Sequence, residues 1–295
     1  MRSFAILLVI CFSVSIVFGQ QASREKDLKA LSDAERAFAA ETVKVGFRDG
    51  FIKFFADDGI GFGPHPEKTR PKLIASPPAT GPRRVIFNWA PMVGDISAAG
   101  DLGYTTGPLI FNDTGENPRP PRYGMYFSVW QKQSDGSWKV AIDMGIDTPS
   151  AVAPIDIAFT AAEKIVPVAK PQWQHPDKDN YRNLDGNLWG SIAKRGPMAA
   201  YKTYLDKNFR VHRKGIMPVT ELKALEPILT QTKFEIIDGK KASSDDLAFT
   251  YGKYTTVGAP GGDESGYYVH VWRRDAERVW KLVVDVQNAL PKEAK

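Results

Sequence analysis

His270 is the polar residue of this chain with the clearest potential for chemistry. It lies between Val269 and Val271 in a β-branched run that predicts a strand, where alternate side chains face opposite sides of a sheet. An imidazole titrates near neutral pH and can act as a base, an acid or a hydrogen-bond donor. The alternative is a buried histidine with a satisfied partner. His270 is therefore the one catalytic candidate, and both roles stay open.

Other kinds of chemistry lack their residue patterns. The four histidines are scattered, and the single cysteine, Cys11, has no partner at metal-ligand spacing. There is no glycine-rich phosphate loop opening a helix and no Gly-x-Ser-x-Gly turn. The net charge of +5 is spread along the chain, without a basic stripe interleaved with aromatic residues. We therefore expect no metal, no cofactor and no nucleic-acid partner.

A duplicated hairpin defines the architecture. Residues 124–145 predict a β-hairpin, with strand-forming runs on either side of a polar turn that contains Asp135-Gly136. Residues 266–287 repeat much of this stretch. Each copy has two tryptophans eight residues apart and an aspartate, Asp143 or Asp285, five residues after the second tryptophan. The chain is therefore predicted to be a tandem repeat.

Each half of the chain predicts helices followed by antiparallel strands. Apolar residues recur at helical spacing from Ser23 to about Asp57, on a stripe that also contains Glu35. A break is predicted near Gly46, with a second short helix from Phe51 to Ala56, and a second stripe begins at Tyr181. The stretch Gly59–Arg84 is rich in proline and glycine and predicts mainly loop. Because a hairpin closes each half, the fold class is predicted to be α+β, in two tandem units.

Residues 1–19 have the pattern of a secretory signal. Arg2 precedes an apolar run from Phe4 to Phe18, with small residues at the two positions that a signal peptidase reads. The run is too short for a comfortable membrane span. We therefore expect a secreted or periplasmic protein without stable membrane insertion. Its first domain is predicted at 22–148, a linker at 149–176 and a second domain at 177–292.

The order of short motifs in the first half resembles a known family. These motifs are Trp89-Ala90-Pro91, Gly-Asp-Leu-Gly-Tyr-Thr-x-Gly from Gly100 to Gly107, Tyr126-x-x-x-Trp130 and Gly136-x-Trp138-Lys139. Together they resemble the SnoaL-like branch of the nuclear transport factor 2-like superfamily, and in particular its secreted domains of unknown function. The resemblance covers nearly all of residues 25–147 and is looser over 178–290, where Trp-x-Pro is missing.

This resemblance implies two tandem cone-shaped half-barrels, each a curved antiparallel sheet wrapped around N-terminal helices with a pocket between them. Related domains include isomerases, cyclases, hydrolases and plain binding modules, so function must be argued from the pocket. Strand alternation and the resemblance together predict the ligand-binding residues: Trp89, Tyr126, Ser128, Trp130, Tyr268, His270 and Trp272.

The return strand of each hairpin is predicted to face the same pocket with apolar residues. A three- or five-residue turn puts Ile142 and Met144 on the pocket side, and Val284 and Val286 at the matching positions of the second half, whereas a four-residue turn would put them on the other side. These residue types argue against acid–base chemistry there. The repeated aspartates then fall on the opposite face, where a structural role and a ligand or catalytic role both stay open.

Three functions fit these features. The favoured one is a non-catalytic, exported protein that binds a small apolar or aromatic molecule. The second is an isomerase-type enzyme in which His270 works with a carboxylate or tyrosine in an open cavity. The third is an interaction protein whose halves pair sheet to sheet as a pseudo-dimer. We also expect the larger pocket in the first half, bordered by Gly59–Arg84 and Asn112–Arg122, with Trp89 and Tyr126 in its wall.

Overall fold

The computed structural model describes residues 3–78, 80–162, 180–258 and 262–291, which form two α+β halves. The first half contains α1 (Ser3–Val45), α2 (Phe47–Phe54), β1 (Phe55–Phe62), β2 (Pro66–Lys68), α3 (Thr69–Ala75), β3 (Val85–Trp89), β4 (Val93–Ile96), β5 (Leu102–Asp113), β6 (Arg122–Lys132), β7 (Trp138–Thr148) and β8 (Thr160–Ala161). The second contains α4 (Leu184–Arg195), α5 (Pro197–Tyr204), β9 (Leu205–Arg213), α6 (Leu222–Leu225), β10 (Gln231–Lys241), β11 (Leu247–Val257), β12 (Glu264–Arg274) and β13 (Trp280–Ala289).

Each half builds one sheet. The first sheet has the order β2-β1-β7-β6-β5-β4-β8, and β3 also pairs with β5. The second has the order β10-β11-β12-β13-β9. In both, the strand after the second helix runs parallel to the last hairpin strand, β1 beside β7 and β9 beside β13. The predicted fold class, two tandem curved sheets wrapped around N-terminal helices, is therefore confirmed.

Two glycines set the break between the helices of each half. Gly46 has φ 98° and ψ 169°, and Gly196 has φ 82° and ψ 158°. Only glycine adopts this region without strain, so the chain turns sharply between the two helices. The sequence predicts the break near Gly46, but the next helix begins at Phe47 and not at Phe51 as expected.

The prediction of a loop over Gly59–Arg84 is wrong for much of that range. It contains the end of β1, all of β2 and all of α3. Two of the glycines that suggested a loop allow β1 to approach its neighbours closely. A Cβ at Gly59 would lie 2.5 Å from the Val140 carbonyl oxygen of β7, and one at Gly61 would lie 2.5 Å from Thr69 Oγ1 at the start of α3.

A β-bulge in each hairpin reverses the faces predicted for the later residues of β7 and β13. The pairing of β6 with β7 shifts between Val129 and Trp130, so that one extra residue, Ala141, enters β7. The same shift occurs between Val271 and Trp272 in the second half. An extra residue moves every later side chain to the other face of the sheet.

The expected positions of the apolar residues on the return strands are therefore wrong. Trp138 and Val140 face the helices, but Ile142 and Met144 lie in the core between the two sheets. In the second half Val284 and Val286 lie in that same core. Asp143 and Asp285 were expected on the face opposite the pocket. They instead face the interior of their own half, as their hydrogen bonds with Ser128 and Tyr201 show.

The two sheets pack face to face through one shared apolar core. Its buried members are Leu102, Tyr104, Phe127, Val129, Ala141, Ile142, Met144 and Ile146 from the first half, and Ala242, Leu247, Phe249, Tyr267, Val269, Val271, Val283, Val284 and Val286 from the second. The contact is pseudo-symmetric: Ala98 N donates to Asp246 Oδ2 and Ser243 N donates to Asp101 Oδ2, both at 2.9 Å. The halves thus contact each other as equivalent partners in a symmetric dimer do.

The structure describes only part of the predicted linker between the two halves. Within the predicted linker, β8 pairs in parallel with β4, and residues 163–176 lie outside the described residues. The domain boundaries stay predictions. Among the described helices, none has the length and apolar character needed to cross a membrane.

Candidate functional site

Glu35 is the buried polar centre of the first half. It lies on α1 between the core residues Leu31 and Phe38, on the helix face that meets the sheet. Its Oε1 accepts a hydrogen bond from Trp89 Nε1 at 2.6 Å, and its Oε2 accepts bonds from Thr105 Oγ1 at 2.5 Å and Trp130 Nε1 at 2.6 Å. Burial raises the pKa of Glu35 to about 7, although these hydrogen bonds oppose the rise.

Asp185 holds the matching place in the second half. It lies in the first turn of α4, and its carboxylate accepts hydrogen bonds from Tyr268 Oη at 2.7 Å, Thr250 Oγ1 at 3.1 Å and Trp272 Nε1 at 3.2 Å. Thr250 and Trp272 correspond to the threonine and tryptophan that bind Glu35. The repeat therefore conserves one arrangement in both halves: a carboxylate on a helix that receives donors from the sheet.

His270 lies between two carboxylates and is completely buried. Nδ1 is 2.8 Å from Asp185 Oδ1, and Nε2 is 3.4 Å from Asp285 Oδ1. Burial opposes the charge, but the two aspartates outweigh it and raise the pKa of His270 to about 9. The ring is therefore a cation at neutral pH, held by its neighbours.

Asp285 is saturated with donors. Arg213 donates to it from both terminal nitrogens, Nη1 to Oδ1 at 2.9 Å and Nη2 to Oδ2 at 2.7 Å, and Tyr201 Oη donates to Oδ2 at 2.7 Å. Burial disfavours the charge, but Arg213 and His270 hold the pKa of Asp285 well below its usual value. A carboxylate with this many protein partners has no lone pair left for a ligand.

Asp143 has far fewer partners in the first half. Ser128 Oγ donates to Asp143 Oδ2 at 2.8 Å, and among the described residues no cation pairs with the carboxyl group. Burial raises the pKa of Asp143 to about 6, against the hydrogen bond from Ser128. Burial and the charges of Glu35 and Asp143 also raise the pKa of Tyr126 well above its usual value.

A cavity of about 520 Å³ opens beside Asp143. Its lining residues are Phe47, Phe51, Gly61, Phe62, Gly63, Glu67, Thr69, Lys72, Leu73, Phe87, Leu109, Phe111, Asp143, Gly145, Ile146, Asp147, Lys214 and Asn288. Five phenyl rings and three aliphatic side chains make the wall predominantly apolar. Asp143 is half-buried within this wall. The arrangement is a preformed apolar pocket with one carboxyl group that few protein groups satisfy.

The structure gathers the seven predicted site residues into two buried clusters. Trp89, Tyr126 and Trp130 surround Glu35, with Ser128 beside Asp143, and Tyr268, His270 and Trp272 surround Asp185. None of the seven lines the cavity. Trp89 instead stacks behind Phe87, a wall residue, with ring centroids 5.4 Å apart. The cavity takes residues from the predicted loop Gly59–Arg84, whereas Asn112–Arg122 contributes none.

Sequence reasoning did not assign the carboxylates to the buried interiors where the structure places them. Glu35 was visible as the one charged member of an otherwise mostly apolar helical stripe, a position that calls for buried donors. Asp143 and Asp285 were noticed through the repeat but assigned to the wrong face. Among the described residues there is no group of three or more histidine, cysteine, aspartate or glutamate side chains placed to hold a metal ion.

Comparisons with known proteins find similarity at the level of structure. No protein-family model matches the chain, and no curated protein matches it. An NTF-2 like protein of unknown function from Shewanella oneidensis is 17% identical over 38% of this chain and 98% of its own, with a TM-score of 0.30. A ketosteroid isomerase-like protein from Erwinia carotovora is 14% identical over 42% of this chain and 96% of its own, with a TM-score of 0.30. A conserved protein from Planctomyces limnophilus is 18% identical over 42% and 99%, with a TM-score of 0.31.

Proposed function

We propose that this chain is an exported protein that binds a small apolar or aromatic molecule in the cavity beside Asp143, which is lined mainly by the first half, with Lys214 and Asn288 from the second. The supporting observation is the cavity itself, about 520 Å³ of space enclosed mainly by phenyl rings and aliphatic side chains. This volume lies within the range of about 300–1,000 Å³ that is usual for small-molecule sites. The export component rests on the leader pattern of residues 1–19.

Leu109 offers a direct test of this binding. Its side chain is buried in the cavity wall, so Leu109→Trp would fill the space with an indole. Ile237→Trp is the matched control, because Ile237 is 46% exposed on β10 and does not line the cavity. Native mass spectrometry of the purified protein would detect a small molecule that co-purifies or that binds from a set of aromatic probes.

We expect saturable binding to the wild type and to Ile237→Trp, and its loss in Leu109→Trp. Equal binding by both variants would move the site elsewhere. No binding by any form, from the probe set or from a host extract, would refute the proposal.

Acid–base catalysis is the second candidate function, and the observation that favours it lies in the same cavity. Asp143 faces an apolar pocket with a pKa raised to about 6, next to Glu35 with a pKa raised to about 7. A general base works best when its pKa is close to the working pH. This moves the enzyme hypothesis from His270 in the second half to Asp143 in the first.

Hydrogen exchange distinguishes a carrier from an enzyme. Once a bound molecule is identified, it would be incubated with the protein in D₂O and its mass followed. Exchange of a carbon-bound hydrogen by the wild type and not by Asp143→Asn would support catalysis. Binding without exchange would contradict catalysis and support binding as the sole function of the cavity.

A further inference from the structure

The two halves can be compared position by position around their equivalent aspartates. Gly61 is the register partner of Asp143, and Val211 is the register partner of Asp285. Gly63 lies two residues after Gly61, and Arg213 lies two residues after Val211. Gly63 therefore corresponds to Arg213. Two residues after each aspartate on the last hairpin strand, Gly145 pairs with Tyr126 in the first half, and Gln287 pairs with Tyr268 in the second. Gly145 therefore corresponds to Gln287.

The helices extend this correspondence. α2 and α5 both contain eight residues, begin directly after the glycine at the helix break and end directly before the first strand. Phe51 and Tyr201 are the fifth residues of these helices, so they occupy equivalent positions.

In the second half, the residues at these positions satisfy Asp285. Arg213 forms two hydrogen bonds with the carboxylate, Tyr201 forms one at 2.7 Å, and Gln287 Nε2 donates another at 3.3 Å. His270 adds a positive charge on the remaining side. The side chains of this half therefore supply two cations and two neutral donors to one carboxylate.

In the first half, three of these four positions have no side-chain donor, and the fourth has a neutral one. Gly63 replaces Arg213, Phe51 replaces Tyr201 and Gly145 replaces Gln287, while Ser128 replaces His270. All three of Gly63, Phe51 and Gly145 line the cavity, together with Asp143. A Cβ at Gly63 would have no atom within 4 Å. The cavity thus lies where the second half holds the partners of its aspartate.

From this correspondence we infer that the first-half cavity binds a small organic cation with an aromatic or apolar body, whose amine, amidine or guanidine group pairs with Asp143 as Arg213 pairs with Asp285. This inference rests on the proposed binding function and adds the charge of the ligand to it. A bidentate or charge-assisted bond to Asp143 would satisfy the carboxylate that the protein leaves with Ser128 alone. The phenyl rings of the wall are also favourable neighbours for a cation.

The other charged groups around the cavity do not take this place. Lys72 is paired with Glu67, and Asp147 lies 3.8 Å from Arg122. Lys214 is exposed at the rim, and neither lysine forms an ion pair with Asp143. Glu35 and Tyr126 face Asp143 from the protein interior and bring no positive charge. A ligand cation would therefore meet an unpaired carboxyl group.

Calorimetric titration of the full chain with naphthylmethylamine and naphthylmethanol tests the inference. The two probes share an aromatic body and differ in the ammonium group. We expect the amine to bind at least about tenfold more tightly than the alcohol at pH 8, as a charge-assisted hydrogen bond commonly provides. This preference should fall below pH 6, because Asp143 is then protonated, and naphthylmethanol affinity should change little.

Two isosteric variants assign the preference to one carboxyl group. Asp143→Asn should abolish the preference while retaining binding of the alcohol, which shows that the cavity is intact. Asp147→Asn, a change at another carboxylate of the cavity rim, should retain the preference. Gly63→Arg should remove amine binding, because its guanidinium would occupy the position that Arg213 has in the second half.

The outcomes separate this inference from the proposed function. Equal affinity for the two probes in the wild type would overturn the cation inference and leave the binding function standing. Binding of neither probe would count against both. A preference that survives in Asp143→Asn, or that does not respond to pH between 5 and 8, would also overturn the inference.

Discussion

At the scale of single residues, the two halves solve the same problem of buried carboxylates in different ways. Glu35 and Asp143 have only neutral hydrogen-bond donors, so burial raises the pKa of each. Asp285 in the second half has Arg213 and His270, which keep it ionised. Asp285 has two compensating cations, whereas Asp143 has none among the described residues. This difference explains why the pKa is raised for Asp143, beside the cavity, and lowered for its counterpart Asp285.

Replacement of His270 should show how much this charge compensation contributes to the free energy of unfolding. His270→Ser installs the residue that the first half has at this position, Ser128, and removes the cation between Asp185 and Asp285. A histidine pKa raised from 6.5 to about 9 corresponds to roughly 3 kcal/mol of folding free energy. We therefore expect urea denaturation at pH 6 to show a loss of about this size.

The pH dependence of this loss has a defined sign. Because the folded-state pKa is raised, the stabilisation is complete below about pH 6.5 and disappears as the pH rises through about 9. The difference between the wild type and His270→Ser should therefore shrink at pH 10. Ser128→Ala, which removes one hydrogen bond from an uncharged donor, is the control and should cost about 1 kcal/mol. A loss that is the same at both pH values would contradict the charged state assigned to His270.

Residue types alone identified the aromatic neighbours of the site but not its carboxylates. Trp130 and Trp272 were predicted to face the interior because alternation from Tyr126 and Tyr268 holds along uninterrupted strands. Glu35 was read as part of a helix face, since helical periodicity does not show which donors the sheet will bring to it. The pairing of Glu35 with Thr105 depends on tertiary contacts between segments 70 residues apart.

At the scale of the elements, single-residue irregularities decided what could be predicted. The order of helices and strands followed from periodicity and the repeated hairpin. The faces of β7 and β13 did not, because a bulge adds one residue that no residue type announces. One extra residue in each strand moved Asp143 and Asp285 into the interiors and the neighbouring Ile142 and Val284 to the sheet interface.

Gly196 provides a test of the helix break. It ends α4 and precedes α5 with φ 82°, its N–H donates to the Ile192 carbonyl, and its own carbonyl accepts from Ala200 N. No atom lies within 4 Å of a Cβ built there, so Gly196→Ala would suffer from backbone strain alone. We expect thermal or urea unfolding to show a loss of about 1–3 kcal/mol.

Gly190 is the matched control for Gly196. It lies inside α4, and a Cβ there also meets nothing within 4 Å. Because helical backbone suits alanine better than glycine, Gly190→Ala should stabilise the protein by about 0.4–1 kcal/mol. Changes of the same sign in both variants would show that the φ value at Gly196 does not determine the break.

At the scale of the whole molecule, duplication has produced two halves with one fold and different interiors. The second half fills the space around its aspartate with Arg213 and Tyr201, whereas the first leaves a cavity there. The length of Gly59–Arg84 is the reason for expecting the larger pocket in the first half, and that comparison of pocket sizes stays a prediction. The different surroundings of the two aspartates come from individual side chains at equivalent positions. The shared core between the sheets joins a half whose aspartate borders a cavity to a half whose aspartate is enclosed by charged and hydrogen-bonding side chains.

The shared core also predicts how the molecule unfolds. Because residues of both sheets bury each other, the halves should unfold in one transition, and the intact chain should be a monomer by light scattering. Val269→Asp would place a carboxylate at a fully buried position in this core and should cost at least about 3 kcal/mol. Val279→Asp is the control, since Val279 is 51% exposed.

We expect differential scanning calorimetry to give one transition for the wild type and Val279→Asp. For Val269→Asp we expect two transitions or self-association, because the sheet faces separate and expose apolar surface. Two independent transitions in the wild type, both unchanged by Val269→Asp, would mean that the sheets do not stabilise each other.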